Sequence, residues 1–518
     1  MLPEPTVSVL GTDPSWRKHI LNGNAFQQDA LQSFNGWQYA CFYSARSELS
    51  DREPLFVHLS RRKLPVGRWE TLVFEDYPQT TDDGHNTAQL GICPGDGTIH
   101  LSYDHHCDPL RYRHSIPNLA TAPESYAWSA DHFTPTSPHL PGLASSPAHA
   151  ELLRDITYPR FGQLGRDLWF SFRTGKAGLG DDHLYLYSSR RGAYSSFSQP
   201  SAADDDDDAG AKTTTTTAVT PFLKGVRNNP YIHGLDARAG SLYVTWVYRD
   251  FVWYDGWDDP ADTQHKQQAG PNSAANNRDL CFAYSTPSSP STPASTNAKE
   301  PAGRVWRNGA GAAVADLARG ESVAPASRGV TALRIPRGAG LTNQEAQAVD
   351  RAGACQSYPD ADAEVEEKNE GGGNGNQEVK WKHYYRDPAT RAWRARPLPC
   401  GYVSGKRGRL AVGGDDDLYF VLPGEEGGLR IWRAGGREAY GAYELVWSSG
   451  GSSSSGEEMF PLTEPLVDTY RLDHDNVLSV FARRYAPPDA EAPRGSRAER
   501  GDDRAERRID VVVLDFQL

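Results

Sequence analysis

Residues 155–187 read DITYPRFGQLGRDLWFSFRTGKAGLGDDHLYLY and hold three short runs rich in aromatic and β-branched residues. The runs cover residues 157–161, 167–173 and 183–189, and glycine-containing turns separate them. Runs of this length and composition, bounded by Gly and Asp, are typical of antiparallel strands joined by short turns. The stretch therefore predicts a three-stranded antiparallel unit.

Similar groups of strand candidates recur along the chain roughly every fifty residues, which is the period of a propeller blade. The other candidates are residues 37–44, 54–60, 69–74, 88–93, 98–103, 110–115, 241–249, 279–285, 344–350, 354–358, 379–386, 409–412, 417–422, 429–433, 468–472, 477–483 and 510–516. The pattern predicts an all-β fold, a seven-bladed β-propeller forming a single domain over residues 1–518, with blades from about residue 34. We expect the final strand to complete the first blade, because ring closure removes exposed sheet edges.

Five stretches between these groups have compositions that do not pack a core, being rich in Asp, Thr, Ser, Pro or Gly. They are residues 202–217, 285–300, 361–377, 448–457 and 487–508. We interpret them as disordered or loop insertions that decorate one domain.

The bulk composition excludes several classes of function. A net charge of −13 disfavours a nucleic-acid or membrane-surface binder, although a local arginine cluster would still bind an anion. The six cysteines form no CxxC pair, so a metal cage and a dense disulfide framework are not expected. We find no apolar run long enough to span a bilayer, and the N-terminus lacks the pattern of a secretory signal.

A propeller gathers strand ends from different blades around one axis, so we looked there for chemistry-bearing side chains. The candidates are His85, Asn86, His105, His106, Arg111, Tyr158, Arg173, Asn229, Tyr231, Trp246, Arg249, Asn343, Gln344 and Glu345. Histidine is a near-neutral base, guanidinium groups bind carboxylates, and aromatic faces suit sugar rings. Together these groups fit β-elimination on a uronic acid, in which a cation neutralises the carboxylate while separate groups move the two protons.

Plainer roles stay open for several of these residues. A histidine beside a strand is often a hydrogen-bonded structural residue, and Tyr158 before Pro159 could equally be a packing residue. Arg173 could form an outward salt bridge, and Trp246 suits a core. A metal site built from His106 with His105 or Cys107 is disfavoured, because adjacent residues on a strand point in opposite directions.

Several motifs resemble a known family. They are DGHNTAQLGI, GTIHLSYDHHCDPLRYRHS, residues 155–187, GSLYVTWVYRD, NNRDLCFAYS, GLTNQEAQAVD, KWKHYYRDPATRAW and EPLVDTYRLDHDNVLSVF. As a set they are similar to the seven-bladed propeller polysaccharide lyases that carry the bacterial-neuraminidase-type (BNR) repeat. The closest resemblance is to the fungal L-rhamnose-α-1,4-D-glucuronate lyases, which are related to ulvan lyases; the low-complexity insertions also look fungal.

The resemblance implies a carbon–oxygen lyase that cleaves the bond at O4 of a glucuronic acid residue. The implied products are terminal rhamnose from gum-arabic-type side chains and an unsaturated uronate. No cofactor is required, although a structural calcium ion on the propeller axis would be compatible with the fold. The implied partner is an acidic glycan containing glucuronate, with no nucleic acid and no membrane, and the chain is expected to be a monomer. The substrate implies secretion, for which this sequence shows no signal peptide.

The resemblance also assigns roles to residues. The family's paired histidines match His85 and His105, its catalytic tyrosine matches Tyr158, and its carboxylate-neutralising arginine matches Arg173. We expect His105 to be the base, with the exchange of His85 and His105 left open, and Tyr158 to be a separate acid. The expected substrate-binding residues are Asn86, His106, Arg111, Tyr231, Trp246, Arg249, Arg278 and Gln344. Arg278 stands where many relatives have histidine.

Three other functions remain as alternatives. An ulvan-type lyase would use the same chemistry on a sulfated polysaccharide. A sialidase-like hydrolase needs an acidic pair or a Tyr–Glu pair with an arginine triad, and Glu345 is the main carboxylate among the central motifs. A non-catalytic carbohydrate-binding propeller would keep the aromatic residues but need neither His85 nor Tyr158.

Overall fold

The computed structural model describes residues 1–46, 54–197, 219–259, 261–262, 266, 270–287, 302–353, 355–357, 380–403, 405–424, 427–449, 460–461, 463–486 and 508–518. The predicted insertions at 202–217 and 361–377 lie outside these residues. Those at 285–300, 448–457 and 487–508 lie outside them except for residues 285–287, 448–449 and 508. Within the described part of the chain, no helix is long and apolar enough to cross a membrane.

Strands dominate the described residues, and two short α-helices connect them. The helices are α1 (Pro147–Leu152) and α2 (Thr469–Asp475). The strands are β1 (Thr6–Thr12), β2 (Leu31–Phe34), β3 (Trp37–Ala45), β4 (Leu55–Lys63), β5 (Glu70–Gln79), β6 (Ala88–Ile92), β7 (Ile99–Tyr103), β8 (His106–Asp108), β9 (Tyr112–His114), β10 (Ile156–Leu164), β11 (Asp167–Thr174), β12 (Asp182–Ser188), β13 (Ala193–Ser196), β14 (Asn228–Arg238), β15 (Ser241–Asp250), β16 (Asn277–Ser285), β17 (Val305–Arg307), β18 (Ala313–Asp316), β19 (Thr331–Leu333), β20 (Gln347–Val349), β21 (Cys355–Ser357), β22 (Lys380–Arg386), β23 (Trp393–Gly401), β24 (Arg409–Val412), β25 (Leu418–Pro423), β26 (Leu429–Ala434), β27 (Glu444–Ser448), β28 (Leu466–Val467), β29 (Val477–Tyr485) and β30 (Ile509–Gln517).

The strands of the described residues pair into seven antiparallel sheets that follow one another along the chain. The sheet orders are β2-β3-β4-β5, β6-β7-β9, β8-β10-β11-β12-β13, β14-β15-β16-β17-β18 with β19 on β16, β20-β21-β22-β23, β24-β25-β26-β27 and β28-β29-β30-β1. The three strands predicted within residues 155–187 are β10, β11 and β12, and they pair in that order.

The first strands of successive sheets line a ring. β6 contacts β2 on one side and β10 on the other, and the contacts continue from β10 to β14, β20, β24 and β28. Helix α2 contacts both β24 and β2, which joins the last sheets to the first. Apolar side chains fill the spaces between neighbouring sheets, as Trp169 and Trp246 do between the third and fourth. The predicted all-β propeller is confirmed.

The strand that completes the last sheet differs from the prediction. The final strand, β30, does not join the first sheet; it pairs with β29 along nine residues, and the N-terminal strand β1 occupies its other edge. Asp515 on β30 accepts hydrogen bonds from Arg62 of the first sheet and from Arg471 at 2.6 Å, all three being buried. The last and first sheets are therefore linked by a buried ion network.

Candidate active site

The candidate site lies where the chain enters the inner strands of several sheets. His85 precedes β6, Tyr158 is the third residue of β10, Tyr231 is the fourth residue of β14, and Arg407 precedes β24. Because inner strands of a propeller run side by side around the axis, these entries meet at one end of the ring. Four sheets thus supply side chains to one cluster.

Tyr158 reaches the cluster through an irregular backbone. Its φ is +57°, in the left-handed region that residues other than Gly rarely adopt. The pairing of β10 with β11 also shifts register between Thr157 and Arg160, so an extra residue is inserted at this point. A bulge of this kind turns a side chain out of its regular alternation, and here it directs the phenol toward His85, with ring centroids 5.6 Å apart.

Asp83 bridges two stacked histidines. Its two carboxylate oxygens lie 2.7 Å from Nδ1 of His85 and 2.6 Å from Nδ1 of His106. The imidazole rings stack with centroids 3.7 Å apart, and Phe26 stacks on the other face of His85 at 4.4 Å. Since an ionised carboxylate only accepts hydrogen bonds, both Nδ1 atoms are donors. The basic nitrogen of a neutral His85 is therefore Nε2, and the His85 side chain keeps 25% of its surface exposed.

The environment sets the protonation states of this group. Burial lowers the pKa of His85, Asp83 opposes that shift, and Arg173 adds to it. Burial and the neighbouring His85 lower the pKa of His106 to about 3. For Asp83, burial acts to raise the pKa, but the hydrogen bonds from His106 and His85 outweigh it and hold the pKa well below its usual range. At neutral pH the cluster is one carboxylate between two neutral imidazoles.

Two buried guanidinium groups meet at the phenol oxygen of Tyr231. Arg173 donates from Nη1 to that oxygen at 2.9 Å, and Arg249 does so at 3.4 Å. The other partners of Arg173 are neutral: the hydroxyl of Thr157, the carbonyl of Gly175 and the thiol of Cys107. The remaining partners of Arg249 are likewise neutral: the side-chain oxygen of Asn277 and the carbonyl of Asn272. Among the described residues neither guanidinium forms a hydrogen bond or an ion pair with a carboxylate, and the carboxylates of Asp155 and Asp182 act on Arg173 only at longer range.

Tyr158 lies between the histidines and the guanidinium groups. The guanidinium carbon of Arg173 is 5.1 Å from the centre of its ring, and Nδ2 of Asn343 donates to its hydroxyl at 3.2 Å. Burial, followed by the charge of Tyr231, raises the pKa of Tyr158 above its usual range. Nearby guanidinium groups, including that of Arg407, act in the opposite direction. Tyr158 therefore carries its proton at neutral pH.

Arg407 supplies a third guanidinium from the sixth sheet. It bonds the carbonyl and the side-chain oxygen of Asn343 and forms an ion pair with Glu464 at 3.2 Å. It also lies 5.2 Å from the ring centre of Phe26. Arg407 thus links Phe26, which stacks on His85, to Asn343, whose side-chain amide contacts Tyr158.

Two groups of side chains carry donor atoms of the kinds that bind metal ions. Among the described residues, Asp83, His85 and His106 form the one group of three whose ligand atoms lie within 4.8 Å of one another. The hydrogen bonds to Asp83 already use Nδ1 of both histidines, so neither Nδ1 offers a lone pair to an ion in this arrangement. On the axis, a cavity of about 320 Å³ is lined by the carboxylates of Asp29 and Asp236. The guanidinium groups of Arg160 and Arg409 line it too, which does not fit an oxygen cage for calcium.

His105 and Arg111 lie outside the cluster. Nε2 of the buried His105 accepts the backbone N–H of Arg111 at 2.8 Å, which uses the lone pair that a base would need. Because neighbouring residues of an extended chain face opposite sides, directing His106 toward Asp83 turns His105 away from it. The guanidinium of Arg111 bonds the carbonyl of Asp104 at 2.7 Å. The structure therefore pairs His85 with His106 and not with His105.

Three other residues that were predicted to bind the substrate contact protein groups outside the cluster. Trp246 is fully buried in the core between the third and fourth sheets, which corrects its assignment to the substrate. Arg278 bonds Asp250 at 3.0 Å and Asp279 at 2.8 Å. Gln344 accepts from Arg160 on the axial side.

Two further predicted residues, Asn229 and Glu345, form hydrogen bonds that fix the loops around the cluster. Asn229 accepts the backbone N–H of Gly178 at 2.8 Å. The buried Glu345 accepts the hydroxyl of Thr342, and its N–H donates to His233. Asn86 is buried beside His85, and its Oδ1 has no partner among the described residues.

Sequence reasoning missed Asp83, Phe26 and Arg407. For Asp83 a signal exists, because in the motif Asp-Gly-His the carboxylate lies two residues before the imidazole, the spacing of a local side-chain turn. Phe26 and Arg407 have no such signal, since their nearest site partners are more than fifty residues away in sequence.

Comparisons with known proteins agree with this architecture. Residues 37–399 match the BNR repeat-containing family. The polysaccharide lyase Uly1 is similar with a TM-score of 0.62 and 16% identity, over 100% of this chain and 99% of that chain. An ulvan lyase from a new family of polysaccharide lyases, solved bound to -[GlcA(1-4)Rha3S]-, has a TM-score of 0.55 and 12% identity, over 92% of this chain and 93% of that chain. No curated protein sequence matches significantly. At these identities the structural likenesses establish a shared fold.

Proposed function

The chain belongs to the BNR repeat-containing family, and on that premise we propose that it is a polysaccharide lyase that cleaves a uronate-containing glycan by β-elimination. The observation that carries this proposal is the pair of buried guanidinium groups, Arg173 and Arg249, which share the oxygen of Tyr231 and lack a carboxylate partner among the described residues. A buried charge that no opposite charge contacts directly is costly, and a substrate carboxylate would supply the direct partner. Two of the structural neighbours are themselves polysaccharide lyases, which supports the assignment.

The guanidinium pair would make the first step feasible. A uronate carboxylate bound by Arg173 and Arg249 is neutralised, so the proton on carbon 5 becomes more acidic and the enolate-like intermediate is stabilised. Arginine is suited to this because its planar fork binds a carboxylate through two hydrogen bonds.

His85 is the base in this proposal. Its neutral Nε2 takes the proton from carbon 5, and Asp83 stabilises the imidazolium that forms. The electron pair left on carbon 5 makes the double bond to carbon 4, and the bond from carbon 4 to the glycosidic oxygen breaks. The base in this proposal is His85 and not His105, because Nε2 of His105 accepts the N–H of Arg111, whereas the ring of His85 lies 5.6 Å from that of Tyr158.

Tyr158 is the acid. It is protonated at neutral pH, and it would donate its proton to the departing oxygen while the surrounding guanidinium groups stabilise the phenolate. In a 4-linked glucuronate the carbon-5 proton and the leaving oxygen lie on the same ring face, so the base and the acid must both reach that face. The rings of His85 and Tyr158, with centroids 5.6 Å apart, are close enough together for this. Arg407 and Asn343 hold the phenol in place.

For the finer specificity we propose a rhamnosyl-glucuronate side chain of the gum arabic type, with release of rhamnose. We also infer that each of the seven sheets is one blade of a single-domain propeller, that the chain acts as a monomer and that no cofactor takes part.

A sialidase-like hydrolase is less well supported, because the nearby carboxylates are engaged: Asp83 by histidines, Glu345 by Thr342 and Glu464 by Arg407.

The proposal is tested by incubating the protein with gum arabic, ulvan and a uronate-free polysaccharide while following ultraviolet absorbance from the new carbon–carbon double bond. We expect absorbance to rise with gum arabic, to persist in the presence of EDTA, and to be absent in His85→Ala. Release of sugar without absorbance would indicate hydrolysis, and no product from any uronate polysaccharide would favour a binding protein.

A further inference from the structure

Residues 251–257, FVWYDGW, form a loop that directly follows β15, the strand carrying Arg249. Trp253 on this loop has 61% of its surface exposed, and it is the only aromatic side chain among the large exposed hydrophobic residues of the described chain. An exposed indole lacks the stabilisation that burial of its large apolar surface would give the fold. An exposed tryptophan four residues from a buried guanidinium therefore indicates a surface kept open for a ligand.

The loop is fastened to the guanidinium pair. The side chain of Asn272 accepts the N–H of Val252 at 2.6 Å and donates to its carbonyl at 2.9 Å. The backbone carbonyl of the same Asn272 accepts a hydrogen bond from Arg249 at 3.2 Å. At the other end of the loop, Lys176 bonds the carbonyl of Trp257. Trp253 is thus held at a fixed place relative to Arg249.

The loop extends from Arg249 toward Arg173. Lys176, which bonds the carbonyl of Trp257, lies three residues after Arg173 in the chain. The carbonyl of Gly175, next to Lys176, accepts a hydrogen bond from Nη2 of Arg173 at 3.0 Å. The loop therefore borders the anion-binding pair and carries the exposed indole of Trp253.

The same loop and the residues after it carry negative charge. Asp255, Asp258 and Asp259 are exposed, and none of them has an ion pair within the described part of the chain. A sulfate group approaching Trp253 would be repelled by these carboxylates, while an uncharged sugar would not. The surface around Trp253 is thus negatively charged, whereas the buried guanidinium pair beside it is positively charged.

We propose that the loop of residues 251–257 is a subsite for an uncharged sugar next to the uronate, in which the sugar ring stacks on Trp253, and that it discriminates against sulfated sugars. This inference rests on the proposed function, since it takes the guanidinium pair as the uronate site. It narrows the substrate to non-sulfated glycans in which a neutral sugar such as rhamnose is joined to the uronate.

The test measures binding without turnover, by calorimetry in the His85→Ala variant. The ligands are a rhamnosyl-glucuronate disaccharide and the same disaccharide with a sulfate on rhamnose. We expect the unsulfated ligand to bind about tenfold more tightly, and Trp253→Ala to weaken its binding about tenfold, which corresponds to about 1.4 kcal/mol. Replacing Asp258 and Asp259 by Asn should strengthen binding of the sulfated ligand about threefold at low salt, an effect that high salt removes.

Trp432→Ala, which truncates a half-buried tryptophan of the sixth sheet, is the matched control and should leave both affinities unchanged. The inference is overturned if Trp253→Ala binds the unsulfated disaccharide as well as its parent, if the sulfated ligand binds equally well, or if neither ligand binds. If binding follows the expected pattern but the unmodified chain forms no unsaturated uronate, the subsite stands and the lyase assignment fails.

Discussion

His85 donates a hydrogen bond from Nδ1 to Oδ1 of Asp83 over 2.7 Å, and this contact fixes which ring nitrogen is basic. The second carboxylate oxygen of Asp83 is used by His106 in the same way, so Asp83 cannot swing away from either ring without losing a charge-assisted hydrogen bond. The proposed base is thus oriented by a group that does not touch the substrate.

Asp83→Asn should lower kcat about 100-fold or more, within the range that a general base contributes. The amide no longer stabilises an imidazolium, and its nitrogen would favour the wrong tautomer of His85. The measurement is initial rate by ultraviolet absorbance, with thermal unfolding to verify the fold. Asp131→Asn, at an exposed position, is the control and should retain full activity. Near-normal kcat in Asp83→Asn would remove Asp83 from the mechanism.

Tyr158→Phe should lower kcat by about 10²- to 10⁴-fold on a natural glycan, because the departing oxygen then leaves without a proton. A glucuronate whose O4 carries a nitrophenyl group expels nitrophenolate, which needs little protonation, so its elimination should be far less affected. His85→Ala should slow both substrates equally. Equal losses on both substrates in Tyr158→Phe would assign Tyr158 another role.

Arg173→Lys should reduce kcat/KM about 100-fold, because an ammonium group cannot reproduce the two-point contact of a guanidinium with a carboxylate. Arg278→Lys is the matched control, since Arg278 is also buried in part but bonds Asp250 and Asp279 of its own region. It should remain within about threefold of the parent. A similar loss in both variants would mean that Arg173 acts on stability alone.

The pH dependence follows from the directions of two pKa shifts. The active form needs neutral His85, whose pKa is lowered below its usual 6.5, so kcat/KM should be constant near neutrality and fall only as the pH drops below that value. It also needs protonated Tyr158, whose pKa is raised above its usual 10, so activity should persist in alkali until the fold fails. An alkaline loss centred near pH 8 in folded protein would contradict the assignment of Tyr158 as acid.

Asp515→Ala should destabilise the fold by about 3–5 kcal/mol, because it leaves the guanidinium groups of Arg62 and Arg471 buried and unpaired. These groups join the last sheet to the first. The measurement is the free energy of unfolding in urea, provided that unfolding is two-state, with Asp131→Ala as the exposed control. A change below about 1 kcal/mol would mean that ring closure does not depend on this network.

The fold was largely predictable because its strands are short runs rich in aromatic and β-branched residues, separated by turns that carry Gly and Asp. The closure was not predictable, because no residue of β1 (Thr6–Thr12) is fully buried and its strand partner is β30, at the other end of the chain. Within the site, Tyr158, Arg173 and Tyr231 were identified from strand-end motifs. The sequence paired His85 with His105, whereas the structure places His106 against Asp83, because the backbone at Asp104, with φ of +68°, interrupts the regular alternation of side chains. Arg407 comes from a distant sheet and leaves no local pattern.

The central claim, elimination without water, is tested most directly by digesting a rhamnosyl-glucuronate glycan in oxygen-18 water and weighing both products by mass spectrometry. Elimination predicts an unsaturated uronate with no oxygen-18 at carbon 4 and a released sugar that, measured before its anomeric hydroxyl exchanges with the solvent, carries no oxygen-18 either, so that the two masses sum to the mass of the substrate. Uptake of one oxygen-18 atom per bond cleaved, with a saturated uronate, would contradict it and establish hydrolysis.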